Sequence, residues 1–249
     1  MVSKMWTSGP RYLCRKTLAL EILRDYSGEG KKIVEIGFGS GDMLLTLDSM
    51  GFQGVGIDFS RKAVQNLEKK TAGKKFNFEI KESFEEIKGQ KFSMLLAFEV
   101  LEHIEDDANA LKEWSSLLSK NGCILFSVPA HMKEWGANDE YGGHFRRYEK
   151  KELNELLEKN GFEVKKFWCY GYPIAGIAKI FKDLLIKKKI DKSKGKIERT
   201  KNTGLESIDF PLGWLFFNNI TMAPFFFIQK FFLEKDIGDG YLVLCQKKN

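Results

Sequence analysis

The stretch that decides the fold is Val34-Glu35-Ile36-Gly37-Phe38-Gly39-Ser40-Gly41-Asp42. Its apolar start predicts a buried strand, and its three alternate glycines predict a tight turn into a helix. Glycine suits such a turn because the missing Cβ lets the backbone come close to a ligand. Asp58 ends a second apolar strand, Val55-Gly56-Ile57, and its carboxylate can accept hydrogen bonds from two ribose hydroxyls. Together these residues predict a nucleoside-binding βαβ unit.

The spacing of the glycines indicates which nucleoside is bound. A dinucleotide-binding turn has the form G-x-G-x-x-G, and counting from Gly37 its third glycine would fall on Asp42. The acid before the glycines, Glu35, would repel a pyrophosphate but suits a ligand that carries an ammonium or sulfonium charge. The spacing therefore disfavours a NAD-dependent oxidoreductase. It favours S-adenosylmethionine (SAM), whose sulfonium makes its methyl group an electrophile.

The order E-x-G-x-G-x-G resembles the first motif of the class I SAM-dependent methyltransferases. The resemblance runs from about Trp6 to Val164 and resumes at the last strand. It implies a methyltransferase with SAM as its cofactor and an α/β fold, in which a Rossmann-like, seven-stranded, mostly parallel sheet has helices on both faces. A C-terminal helical insertion is expected before the last strand. We predict a SAM-binding core at 1–172, a basic and aromatic insertion at 173–236 and the last strand at 237–249.

Alternating strand and helix patterns support this fold. The predicted strands are Lys32–Ile36, Gly54–Ile57, Phe76–Ile80, Phe92–Phe98, Cys123–Val128, Phe162–Trp168 and Tyr241–Cys245. The main predicted helices are Trp6–Asp25, a helix from the glycines to Gly51, a helix after Ser60, Leu101–Leu118 and Lys150–Lys159. In a parallel sheet the ligand lies at the carboxyl ends of the strands, where all of the motifs fall.

The resemblance also implies roles for individual residues around the cofactor. In this family the acid of the first motif contacts the methionine end of SAM, the glycine backbone lines the cofactor, and the acid after the second strand holds the ribose. The family often has Asp-Ala after the third strand, where this chain has Ser83-Phe84. A serine would hydrogen-bond the adenine more weakly than a carboxylate. The cofactor-binding residues predicted in this way are Glu35, Gly37, Gly39, Gly41, Asp58, Phe59, Ser83, Phe84 and Phe98.

Two further segments resemble the acceptor side of the family. Phe98–Asp106 resembles the segment that follows the fourth strand, and Gly143–Tyr148 resembles a substrate-side loop of one bacterial branch. Members of that branch act on small molecules or on cell-surface saccharide or lipid intermediates. The resemblance therefore implies methyl transfer to a small-molecule acceptor, or to one linked to a lipid or a saccharide.

The histidines are the candidates for acid–base chemistry, because an oxygen or nitrogen acceptor can need a general base near neutral pH. The chain has three, His103, His131 and His144, and all follow the predicted fourth and fifth strands. Glu99 lies four residues before His103, so on a helix the two side chains would share a face and Glu99 could orient the imidazole. We predict His103, His144 and Glu99 as catalytic residues. The alternative is that His103 is a structural residue beneath the loop.

The same residues allow a second interpretation, in which a metal assists the reaction. Glu99-x-x-Glu102-His103, with His144 on a later loop, resembles the metal-ligand pattern of the small-RNA 2′-O-methyltransferases, and such ligands suit Mn²⁺, Fe²⁺ or Co²⁺. Arg146-Arg147 would place two cations close to that metal, so the leading interpretation assigns no metal ligand. Loss of activity on EDTA treatment, together with methyl transfer to RNA, would distinguish this alternative.

The positive charge of the chain is concentrated in one segment. The formal net charge is +6, but 179–201 alone holds ten basic and three acidic residues. The remainder is nearly neutral, which disfavours nucleic acid as a partner. The four scattered cysteines form no C-x-x-C pair, and the first residues lack the pattern of a signal peptide. We therefore expect reduced thiols and a cytoplasmic location.

A stretch without any charge, 210–229, follows the basic segment. Its length reaches that of a membrane span, but Pro211, Pro224 and the need to return to the sheet oppose one. Two interpretations stay open. One is a helical cap or homodimer face. The other is a peripheral contact of 179–233 with the inner membrane surface, where aromatic residues enter the headgroup region and lysines face anionic lipid. A non-catalytic membrane-binding or partner-binding protein that keeps the fold is the remaining alternative.

Overall fold

Seven strands form one sheet within the residues that the computed structural model describes, which are 9–26, 32–173 and 219–248. The strands are β1 Lys32–Ile36, β2 Gln53–Ile57, β3 Phe78–Lys81, β4 Phe92–Phe98, β5 Leu118–Pro129, β6 Phe162–Tyr170 and β7 Gly240–Lys247. Their order across the sheet is β3-β2-β1-β4-β5-β7-β6. β7 runs antiparallel to both of its neighbours, and the other pairings are parallel. The predicted Rossmann-like, mostly parallel seven-stranded sheet is confirmed.

Helices cover both faces of this sheet, as predicted. They are α1 Pro10–Arg24, α2 Asp42–Ser49, α3 Arg61–Thr71, α4 Asp107–Leu117, α5 Ala137–Gly142, α6 Lys150–Lys159 and α7 Asn219–Lys230. Side chains that follow one another in a strand point to opposite faces. In β1, Val34 therefore shares a buried cluster with Trp114 of α4, whereas Ile33 shares another with Leu44 of α2. Two apolar layers thus hold the strand whose end carries the glycine turn.

The segment after β4 differs from the prediction. The predicted helix over Leu101–Leu118 is wrong at its start, because a 3₁₀ turn at Leu101–His103 precedes a break and α4 begins only at Asp107. Asp106 accounts for the break, since its carboxylate accepts a hydrogen bond from the Asn109 N–H at 2.9 Å and so caps a new helix. His103 consequently lies in a short 3₁₀ turn and not on a long helix.

Smaller differences concern the ends of elements. β5 begins at Leu118, directly after α4, and not at Cys123, and the short helix α5 was not predicted. Most of the predicted insertion at 173–236 lies outside the described residues, as does the basic stretch 179–201. In the described parts of the chain, no helix has both the length and the apolar character needed to span a membrane.

Candidate active site

The glycine turn after β1 has the geometry that the sequence predicts. Gly37, Gly39 and Gly41 have φ angles of +70°, +52° and +74°, a region that other residues rarely adopt. A Cβ on Gly37 would lie 2.7 Å from a methyl of Val100, and one on Gly41 would lie 2.5 Å from a methyl of Leu67. The turn is therefore packed closely between α3 and the loop after β4, and side chains are excluded from it.

Asp58 fixes this turn from the end of β2. Its Oδ2 accepts a hydrogen bond from the Gly39 N–H at 2.7 Å, and its Oδ1 accepts one from the Ser60 N–H at 2.8 Å. Burial raises the pKa of this carboxyl, while the two N–H groups oppose the rise. Each carboxylate oxygen keeps a second acceptor position. Asp58 can therefore bind two ribose hydroxyls while it holds the turn.

Glu35 carries a buried carboxyl group whose hydrogen bonding is incomplete among the described residues. The residue is 3% exposed, and its Oε2 has no hydrogen-bond partner within 9–26, 32–173 and 219–248. Burial raises the pKa of the carboxyl to about 8, with Arg15 opposing the rise and Asp58 adding to it. A buried polar atom of this kind is costly unless a donor or a cation meets it. The methionine end of SAM carries an ammonium group, so the residue fits the role that the sequence predicts for it.

We expect Glu35→Gln to reduce the loss of stability on going from pH 5 to pH 8 in the ligand-free protein. The folded-state pKa of Glu35 lies above its ordinary value of 4.5. The folded protein therefore holds the extra proton between these values, and the free energy of unfolding falls as pH rises through that window. Urea unfolding at both pH values should show that the free energy of unfolding falls by roughly 3 kcal/mol more in the wild type than in the variant between pH 5 and pH 8. Glu68→Gln, at an exposed position of α3, is the control, and equal pH dependence in all three proteins would refute the expectation.

An aromatic pair lies beside the predicted adenine position. Phe59 is 53% exposed, and its ring meets the Phe84 ring edge-on with 5.5 Å between centroids. Such a pair offers an apolar surface to a flat ring. Ser83 precedes Phe84, and its backbone N–H donates to Glu86 at 3.2 Å, which fixes the turn after β3. The contacts of Phe59, Ser83 and Phe84 with adenine stay predictions that this arrangement supports.

Glu99 holds helix α1 against the sheet. Its carboxylate accepts hydrogen bonds from Ser127 Oγ at 2.7 Å and Tyr170 OH at 3.1 Å, and it forms ion pairs with Arg11 and Arg15. Burial would raise the pKa of this carboxyl, but Arg11 and then Arg15 hold it well below its usual range. All of these partners lie on α1, β5 or β6, so Glu99 joins three parts of the fold.

The prediction that Glu99 orients His103 assumed that both residues lie on one helix, and the structure does not have that helix. Glu99 has a φ of +58° and precedes the 3₁₀ turn, so the two side chains do not share the face of a helix. The neighbouring Phe98 is buried, and its ring lies 5.4 Å from the Arg15 guanidinium. Phe98 therefore packs towards α1, and its contact with the cofactor stays a prediction.

His144 forms a buried pair with Asp139, a residue that the sequence analysis missed. The Nδ1 of His144 lies 3.0 Å from Asp139 Oδ1, and Asp139 also accepts hydrogen bonds from Arg147 Nε at 2.9 Å and the Gly136 N–H at 2.8 Å. Burial would raise the pKa of Asp139, but His144 and Arg147 lower it to about 2. A carboxylate can only accept, so Nδ1 carries the hydrogen and the Nε2 of a neutral ring is left as the acceptor.

His103 and Glu102 lie on the Nε2 side of His144. The rings of the two histidines meet edge-on with 4.7 Å between centroids. Burial, and then His144, lower the pKa of His103 to about 3, so its imidazole is neutral near pH 7. Glu102 is fully buried with its Oε1 4.0 Å from His144 Nε2, and in the described part of the chain neither of its carboxyl oxygens has a hydrogen-bond partner. Burial, and then Glu99, raise the pKa of Glu102 well above its usual range.

These residues bear on the metal interpretation as well. Glu102, His103 and His144 each offer one ligand atom, and the three atoms lie within 4.8 Å of one another, so they could hold a metal ion. Glu99, the remaining ligand of the alternative pattern, is bound by the arginines of α1. The structure does not bring His131 to this cluster, because its ring contacts Tyr241 instead.

A sheet of this strand order, with a glycine turn after β1 and an acid after β2, has the architecture of the class I SAM-dependent methyltransferases. A family model described as "Methyltransferase domain" matches residues 5–166, which is more than half of the chain. The chain belongs to that family, and the predictions of a methyltransferase and of SAM as its cofactor are confirmed.

The relatives of this chain match it over part of their length. The ubiquinone biosynthesis O-methyltransferase of Thiobacillus denitrificans is 29% identical over 103 residues, which cover 40% of this chain and 44% of that protein. The chain thus spans less than half of that relative. Among solved structures, the [4+2]-cyclase SpnF has a TM-score of 0.63 at 14% identity and covers 98% of this chain and 85% of its own. Phosphoethanolamine N-methyltransferase 2 of Haemonchus contortus has a TM-score of 0.56 at 16% identity, and the match covers 94% of this chain and 53% of that protein. These structural likenesses concern the fold alone.

Proposed function

We propose that the protein transfers a methyl group from SAM to an oxygen atom of a small-molecule acceptor. The observation that carries this proposal is the close packing of the glycine turn on the loop after β4. A Cβ on Gly37 would meet the Val100 side chain of that loop at 2.7 Å. Three residues after Val100, the ring of His103 packs against that of His144. A cofactor on the glycine turn would therefore have the two histidines close to it. The name of the relatives, O-methyltransferase, supports an oxygen acceptor.

The acceptor side can take up the proton that an attacking hydroxyl must lose. SAM, when bound, would supply an electrophilic methyl carbon to the acceptor oxygen, with a neutral thioether as the leaving group. His144 Nε2 takes the acceptor proton, and Asp139 stabilises the imidazolium that forms. Arg147 holds Asp139 in place. His103 stays neutral and serves as a wall of the acceptor site beside His144.

Transfer of a labelled methyl group from SAM to a panel of small phenols and catechols tests this function directly. Labelled product with an oxygen-linked methyl group is the expected result. Small RNAs in the same panel, with and without EDTA, test the metal-assisted RNA alternative, which the named relatives do not favour. Labelling of RNA alone would overturn the proposal. SAM binding without transfer to any acceptor would leave the non-catalytic alternative.

We further propose that α7 meets a membrane surface and so brings the protein to a lipid-linked acceptor. Three apolar residues of α7 and the turn after it, Ile220, Phe227 and Phe231, are 86%, 64% and 66% exposed. The rings of Phe227 and Phe231 meet edge-on with 5.2 Å between centroids. On the docked side of α7, Lys230 pairs with Glu21 of α1 at 2.6 Å. Large exposed aromatic groups on a fixed helix are typical of interfacial contacts.

The double variant Phe227→Ser, Phe231→Ser is expected to lower binding to anionic vesicles at least about tenfold, because each inserted ring contributes on the order of 1–2 kcal/mol. Flotation of the full chain with phosphatidylglycerol-containing vesicles at low salt measures this binding. Ile237→Ser is the matched control, since Ile237 is 48% exposed and lies outside α7. Absence of wild-type binding would refute the proposal. A dimer that the double variant dissociates would assign the face to a second copy.

A further inference from the structure

A second cluster of metal-ligand side chains lies at the carboxyl edge of the sheet, on its β5-β7-β6 side. His131 follows β5, Cys169 belongs to β6 and Asp236 lies in the turn before β7. Each offers one ligand atom, and the three atoms lie within 4.8 Å of one another. None of these residues belongs to the glycine turn or to the His103–His144 pair.

His131 presents one ring nitrogen to this cluster and uses the other for hydrogen bonding. The residue is 6% exposed, and its Nε2 has no hydrogen-bond partner among the residues that the structure describes, although Asp236 Oδ1 lies only 3.5 Å away. Two ligands of a tetrahedral zinc ion are separated by about 3.4 Å, given metal–ligand bonds of about 2.05 Å. Its Nδ1 faces Glu149 Oε2 at 3.5 Å and Tyr241 OH at 3.4 Å. Histidines that bind metals donate their second nitrogen to a carboxylate in this way.

Cys169 and Asp236 complete the set of donors. Cys169 is a free, buried thiol whose Sγ accepts a hydrogen bond from the Gly238 N–H at 3.0 Å. Burial raises the pKa of this thiol to about 12, so a bound metal ion would have to displace its proton. Asp236 accepts a hydrogen bond from Tyr241 OH at 2.7 Å, and its side chain is 41% exposed. An ion can therefore enter from the Asp236 side.

We propose that His131, Cys169 and Asp236 bind one Zn²⁺ ion, with water in the fourth position. Nitrogen, sulfur and oxygen donors in one site suit zinc, whereas Mg²⁺ and Ca²⁺ prefer oxygen alone. The ion joins the loop after β5, the end of β6 and the turn before β7. Asp239 of that turn pairs with Arg11 at 2.8 Å and with Arg147 at 3.2 Å. The zinc site thus supports the turn whose Asp239 anchors both α1 and the loop that carries His144 and Arg147.

Zinc content after dialysis of the zinc-loaded protein, measured by elemental analysis, tests the proposal. The wild type is expected to retain one zinc ion per chain, and His131→Gln and Cys169→Ser to retain none. Two matched controls, Cys123→Ser and His144→Gln, are expected to keep the ion. In the Co²⁺-substituted protein, a thiolate-to-metal charge-transfer band should vanish with Cys169→Ser and persist with Cys123→Ser. Circular dichroism of each variant verifies that it is folded.

A second measurement uses the hydrogen-bond partner of His131. Glu149→Gln, at a partly exposed side chain, is expected to weaken zinc binding about 10- to 100-fold without removing a ligand. Failure of the folded wild type to retain zinc would overturn the proposal, as would retention by both His131→Gln and Cys169→Ser. Loss of zinc with His144→Gln alone would also overturn it, because the metal would then belong to Glu102, His103 and His144. Methyl transfer is not a readout here, so the proposed function is tested separately.

Discussion

Asp58→Ala is expected to weaken SAM binding at least about 100-fold. The carboxylate can accept two ribose hydroxyls, and each charge-assisted hydrogen bond contributes about 1.5–3 kcal/mol. A loss of about 1.4 kcal/mol corresponds to a factor of ten in affinity. The variant also removes the acceptor of the Gly39 and Ser60 N–H groups, so the turn that should receive the cofactor loses its anchor. Both effects act in the same direction.

Calorimetric titration with SAM and with S-adenosylhomocysteine measures this loss, with NAD as a ligand that should not bind. Asp48→Ala is a matched control, because Asp48 Oδ1 also accepts two hydrogen bonds, from the backbone and side-chain N–H groups of Asn77 at 2.9 and 2.8 Å. Asp48 lies near the C-terminus of α2, away from the glycine turn. Its variant should bind SAM like the wild type. SAM affinity within threefold of the wild type in Asp58→Ala would show that the ribose is held elsewhere.

His144→Gln is expected to lower kcat for an oxygen acceptor by about 100- to 10,000-fold, the usual contribution of a general base. SAM affinity should stay within about twofold, because the contacts of His144 are with Asp139, His103 and Glu102 and none is with the glycine turn. A merely structural role would lower the thermal stability and the SAM affinity of the variant together with kcat.

Asp139→Asn separates positioning from catalysis at the same site. The variant removes the carboxylate that is proposed to stabilise the imidazolium, so kcat should fall while SAM affinity stays near that of the wild type. Because Asp139 also pairs with Arg147 in the interior, the variant is expected to lose stability too, and thermal unfolding with SAM present measures that loss. An unchanged kcat in both folded variants would contradict the assignment of His144 as base.

The cofactor side could be predicted from sequence because its geometry is local. Glu35, the glycines and Asp58 lie at the ends of two short apolar strands joined by one helix, so their spacing along the chain fixes their spacing in space. The bounds of β1 and β4 follow from the same apolar runs. The acceptor side was less predictable. Asp139 contacts His144 and Arg147 because it lies on the short helix α5, and that helix was not predicted. The available signal for the start of α5 was Gly136 followed three residues later by the acid Asp139.

The error in the predicted helix after β4 has a different physical origin. The spacing of apolar residues predicted one continuous helix after β4. That spacing carries no information about the Asp106 carboxylate, which caps a separate helix that begins at Asp107. The pairing of Glu99 with Arg11 and Arg15 joins segments far apart in the chain. Such long-range ion pairs have no local signature, so the sequence could indicate an acid at this edge but not its partners.

The position of β7 has a consequence for the order in which the molecule is assembled during synthesis. β7 lies between β5 and β6, although the ribosome makes both of those strands before it. Among the described strands β6 pairs with β7 alone, so this pairing waits until residues 240–247 have emerged, and long-range pairing of this kind forms late. The turn before β7 also carries Asp239, the partner of Arg11 and Arg147. A nascent chain consequently cannot complete its acceptor side before it closes its sheet.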